Sequence, residues 1–168
     1  MESAVITSRE KLADYLAQSV REVMESMVFI EMTPEDVYPP EGGTVQGEVI
    51  VTLGFTGSNG GLILASTGRN LARKVAANML GIEVEELEDP AEMADAMGEV
   101  VNMVAGNVKN QLVEDGWSLE LSVPVVNSGE ALEVKLCANL AWGVGRTFVN
   151  EEGERFRWEL RFRGNGAG

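Results

Sequence analysis

The sequence contains no histidine among its 168 residues. That absence excludes Ser-His-Asp and Cys-His catalysis, imidazole general bases and the common zinc sites. Any chemistry must run on carboxylates, amides, hydroxyls or lysines, or on a reactive centre borrowed from a partner. Cysteine is nearly absent as well. The single Cys137 cannot form an internal disulfide, and in the alternating run EVKLCANLAW it reads as a small buried hydrophobe of a strand. A catalytic thiol usually has a histidine partner, which this chain cannot supply. No stretch approaches the roughly 20 uninterrupted apolar residues of a membrane span. The N-terminus MESAVITSREK carries acidic residues and no apolar core of a signal peptide, so a cytoplasmic location is the default expectation. Positive charge is scarce: 13 Lys and Arg face 27 Asp and Glu, for a net charge of −14. Such a chain repels phosphate backbones and anionic membranes, so neither nucleic acid nor membrane is expected as a partner. A partner with a basic patch would be attracted, although the charge serves solubility equally well.

What is present reads as one globular domain over residues 1–168, with an ordered core from about 8 to 163; apolar residues make up 45% and charged residues 24%. Residues 8–28 have helical periodicity, with Ser8 as N-cap. Residues 33–44, holding three prolines and two glycines, read as a loop. GEVIVTLGF and GGLILAST, joined by TGSN, form a hairpin. The glycines from Gly57 to Gly61 belong to that turn; a phosphate-cradling loop would lead from strand into helix. A second helix covers 67–80, with Thr67 as candidate N-cap and Gly81 as its stop, and an acidic linker follows. The longest helix covers 90–115, between Pro90 and Gly116. WSLELSVPVV, ALEVKLCANLAW, GRTFVNEE and ERFRWELRFR then read as strands, with NSGE and EEGE as turns and GNGAG as a frayed tail. This order predicts an α+β domain, a mostly antiparallel sheet with helices packed on it.

On the helix at 90–115, a step of about 100° per residue brings Met93, Met97, Val100, Val104, Val108 and Gln111 to one direction, with Val101, Ala105 and Leu112 beside it. That stripe is the core face. Asp95, Glu99, Asn102, Gly106 and Lys109 run along the opposite side, and Met103 lies at its edge. A carboxylate and a carboxamide therefore stand one turn apart on an exposed face. Periodicity alone makes such a stripe an ordinary solvated face. Gly98 and Gly106 each cost the helix roughly 1 kcal/mol relative to alanine, and interior glycines usually mark a close approach.

The segment DAMGEVVNMVAGNVK, with Asp95, Gly98-Glu99, Asn102 and Ala105-Gly106, resembles the signature helix of the CheX/CheC/FliY family of chemotaxis phosphatases. The hairpin and helix before it, and SVPVVNSGEAL after it, are similar to that family's flanks, so the resemblance spans residues 45–140. It implies two long helices lying on an extended, mostly antiparallel sheet. It also implies a phosphatase acting on the aspartyl-phosphate of a phosphorylated CheY-like receiver domain. Glu99 would pair with the receiver's lysine and Asn102 would orient the attacking water, with Asp95, Gly98, Met103, Gly106 and Lys109 in contact with the partner. No cofactor is expected in this chain, because the Mg²⁺ belongs to the receiver. Some members carry a second site on the first helix. Here Arg21-Glu22-Val23-Met24-Glu25 aligns with Gly98 to Asn102, so Glu25 stands where the asparagine would be. The first helix is expected to carry no site, a pattern nearer CheX than two-site CheC. A homodimer through a sheet edge is also implied; the late strands with Trp142, Phe148, Phe156, Trp158 and Phe162 could supply that edge or serve as core.

A non-catalytic receiver-binding or scaffold module of the same fold is the alternative. A degenerate copy should have lost Glu99 or Asn102, and this helix keeps both.

Overall fold

A computed structural model describes residues 8–136, 140 and 142–163. Cys137 and the tail GNGAG lie outside the described residues. Among the described residues the helices are α1 (Arg9–Val23), α2 (Arg69–Leu80) and α3 (Pro90–Glu114), with a π-helical turn at Met24–Val28 and a 3₁₀ turn at Val84–Glu86. The strands are β1 (Thr33–Tyr38), β2 (Thr44–Gly57), β3 (Gly61–Thr67), β4 (Leu119–Leu121), β5 (Val125–Lys135), β6 (Trp142–Val149) and β7 (Arg155–Phe162). They form a seven-stranded sheet of order β1-β6-β7-β3-β2-β4, with β5 also on β2 and every pairing antiparallel. This is the α+β architecture that the sequence predicts.

Alternation along the strands assigns one sheet face to the helices. Val49, Val51 and Leu53 of β2, Ile63 of β3 and Phe156, Trp158, Leu160 and Phe162 of β7 join the core stripes of α1, α2 and α3 in one cluster. The stripe of α3 is placed as its periodicity demands: Met97, Val100, Val101 and Val104 are fully buried. Gln111 leaves the stripe half-exposed, and its amide donates to Gln18 on α1. Ser8 caps α1 by accepting from the Lys11 N–H at 3.1 Å.

The opposite face carries a smaller apolar cluster around Val45, Ile50 and Leu64, and beside it a buried charged network. Both oxygens of Glu159 are engaged, one by Arg161 at 2.8 Å and the other by Arg157 at 2.8 Å and the Tyr38 hydroxyl at 2.7 Å. Burial, with the Glu159 carboxylate alongside, pushes the Tyr38 hydroxyl well above the usual phenol range. Arg161 also donates to the Gly42 carbonyl, which ties the 39–43 loop to the sheet. Gly145 is needed here because a Cβ would run into the Tyr38 ring.

Four expectations need correction. Residues 33–38 are strand β1, although the prolines suggested a loop. An edge strand tolerates proline because one side of its ladder is unpaired, and Pro34 lies opposite Phe148 with a register shift before Val37. Thr67 does not cap α2. It ends β3 and its hydroxyl donates to the Arg155 carbonyl, while Glu48 accepts the Arg69 N–H at 3.1 Å from the neighbouring strand. NSGE is not a turn: Gly47 faces Leu132 and Val49 faces Ser128, so three residues of β5 bulge opposite Glu48. The run 117–126 is not one strand but breaks between Leu121 and Val125. Of the two roles open to the late strands, the structure gives them the core one: β6 and β7 are interior and Phe148, Phe156, Trp158 and Phe162 are buried. Among the described residues the outer strands are β1 on one side and β4 and β5 on the other.

Candidate active site

α3 is built to hold its exposed face rigidly. Asp89 caps it, its Oδ1 accepting the Ala91 N–H at 2.9 Å, and Pro90 fills the first turn. The helix then runs 25 residues with its apolar side fully covered. On the other side Asp95, Glu99 and Asn102 are exposed. Among the described residues nothing hydrogen-bonds or ion-pairs with any of these three side chains. A carboxylate and a carboxamide thus stand one turn apart, in water, on a capped helix whose other side is packed against the core.

The remaining candidates divide. Gly106 and Lys109 are half-exposed further along the same side, and a Cβ on Gly106 would meet nothing within 4 Å. Met103 is half-buried and packs against the main core. Gly98 is buried, and its close neighbours are the chain's own Pro124 and Val126, each 3.5 Å from where a Cβ would stand. The approach that this glycine allows is therefore internal.

That contact makes the helix face one wall of a groove. Asp95, Gly98, Glu99 and Asn102 line one side; Val123 and Pro124, from the break between β4 and β5, line the other. The groove is open and holds about 530 Å³. The sequence signal for the second wall was Pro124 itself, since a proline within a strand pattern marks a bulge or an edge. The apolar crevice beneath Lys109, between α3, β2 and β4, has about 10 Å³ of space. Among the described residues no group of three Asp, Glu, Cys or His comes together that could hold a metal ion.

The first helix offers a different surface at the aligned positions. Glu22 and Glu25 are exposed, but Arg21 reaches Glu25 at 3.9 Å, and the backbone from Met24 is wound as a π-turn. No carboxamide is present there. No described helix is long and apolar enough to cross a membrane.

The family model described as chemotaxis phosphatase CheX matches residues 49–143, which include the whole helix face and the β4–β5 wall. A curated relative, the CheY-P phosphatase CheX of Thermotoga maritima, is 28% identical over 128 residues, covering 74% of this chain and 80% of that protein. The crystal structure of CheX from Desulfovibrio desulfuricans superposes with a TM-score of 0.81 at 24% identity, over 90% of this chain and 99% of that one. A complex of CheX with CheY, BeF3 and Mg²⁺ from Borrelia burgdorferi superposes with a TM-score of 0.76 at 20% identity, over 90% and 97%.

Proposed function

Because the chain belongs to the CheX family of chemotaxis phosphatases, we propose that it hydrolyses the aspartyl-phosphate of a CheY-like receiver, with Glu99 and Asn102 as the working pair. The observation that carries this reading is the unpartnered acid–amide pair on the exposed side of α3. The chemistry suits a histidine-free protein. An acyl phosphate is already activated, and the receiver's Mg²⁺ neutralises charge that develops on the phosphoryl oxygens. What remains is to hold a water in line with the phosphorus. The Asn102 carboxamide accepts and donates at once, so it fixes a water without titrating. Holding that water removes entropy from the barrier. The water oxygen forms the new bond to phosphorus, the bond to the aspartyl oxygen breaks, and phosphate and a free carboxylate result. Glu99 pairs with the receiver's lysine and sets the register in which Asn102 enters.

The test is the decay of phosphorylated receivers encoded in the same genome, with and without the full chain. At least one receiver loses its phosphoryl group faster in the presence of the protein, and Glu99→Ala weakens both its capture and its turnover. Equal decay across the whole panel contradicts the enzymatic reading. Phosphorylation-dependent capture without turnover would identify a scaffold module instead.

A further inference from the structure

Val123 is the exposed apolar residue of the groove. It belongs to no strand, and 76% of its surface is exposed. Its position follows from the break. Phe55 faces Leu121 and Thr52 faces Val125, so Ser122, Val123 and Pro124 stand opposite only Leu53 and Gly54. Ser122 closes the gap on the β2 side: its N–H donates to the Gly54 carbonyl at 2.8 Å, and its hydroxyl accepts the Gly54 N–H at 3.1 Å. Pro124 fixes the backbone on the other side and packs over Gly98. The extra residue is thus extruded, and Val123 is held in water by a backbone pinned at both ends. A solitary exposed valine is ordinary. This one shares a groove with Glu99 and Asn102, so a protein surface that reaches the pair meets it.

We propose that Val123, backed by Pro124, is a specificity-determining contact that receives an apolar side chain at the rim of the receiver's phosphorylated cleft. The proposal rests on the phosphatase reading given above. Its physical ground is that the pair on α3 reads little of the partner's identity. An ion pair reads a charge and an amide reads a water; neither separates two receivers with the same cleft chemistry. A chain of net charge −14 also has no long-range attraction for an anionic phosphorylated cleft. An apolar contact at the rim is indifferent to charge and sensitive to shape. It is made equally before and during the reaction, so it acts on KM and not on kcat.

The experiment follows the dephosphorylation rate against concentration of a receiver that the wild type dephosphorylates, charged with acetyl phosphate in Mg²⁺. Val123→Asp and the milder Val123→Ser each raise KM by about fivefold or more, the loss expected for exposing part of a buried valine. Both keep kcat within about twofold of wild type and keep the wild-type melting temperature. Val125→Asp is the control. Val125 is 54% exposed, but alternation points it away from the groove that Val126 lines, so its KM is unchanged. A KM unchanged in both Val123 variants, or a fall in kcat with KM unchanged, overturns the proposal while the phosphatase reading stands. A wild type that accelerates no receiver removes the phosphatase reading and this contact together.

Discussion

An exposed carboxamide one turn from an exposed carboxylate asks little of the helix that carries it, because both side chains keep their hydration in the free protein. Substituting Glu99 or Asn102 should therefore leave the melting temperature unchanged. Glu154 is the contrasting residue. Partial burial pushes its carboxyl up, but hydrogen bonds from Lys74, Asn150 and Asn70 outweigh this and hold it below the ordinary 4.5. A carboxyl depressed in the folded state contributes stability that is complete above the unfolded value and disappears as pH falls through the folded one. The melting temperature of the wild type should therefore drop more steeply than that of Glu154→Gln between about pH 5 and pH 3. Parallel melting curves over that window would show that the carboxylate does not tie the β6–β7 turn to α2.

Elements differed in how far the sequence disclosed them. The core stripe and the polar side of α3 were legible, because both follow from one period of 3.6 residues. But Gln111 leaves that stripe for Gln18, Met103 packs against the core, and the Asp89 cap carries no periodic signal. β1 was not legible, since its pairing with β6 depends on residues more than 100 positions away and its prolines spoke locally for a loop. The bulge at Gly129 to Ala131 looked like a turn for a related reason: the glycine that signals a turn also serves a bulge, and only the partner strand decides. The groove's second wall was half-legible, with Pro124 visible and its seat on Gly98 invisible. Gly106 tests the element as a whole. A Cβ there meets nothing, so Gly106→Ala should raise the free energy of unfolding by about 0.5–1 kcal/mol, measured in urea. A destabilised variant would mean that the glycine serves the fold and not the partner's approach.

At the scale of the whole molecule, the sheet separates two environments. The helix side is apolar and built by periodicity; the far side is secured by Glu159 between Arg157 and Arg161, with Tyr38 closing the network. Glu159→Ala leaves two arginines without their anion, one of them fully buried, and should cost about 3–5 kcal/mol in chemical denaturation. A much smaller loss would mean that the charges on this face are hydrated. The same division keeps the exposed face of α3 apart from the face that stabilises the sheet. The measurement that bears most directly on the account is the first-order decay of a phosphorylated receiver under wild type and under Asn102→Ala. The account predicts that the variant melts like wild type, still captures the phosphorylated receiver, and loses acceleration by about a hundredfold or more, the scale set by removing one positioned polar group. An Asn102→Ala protein that dephosphorylates as fast as wild type would contradict it.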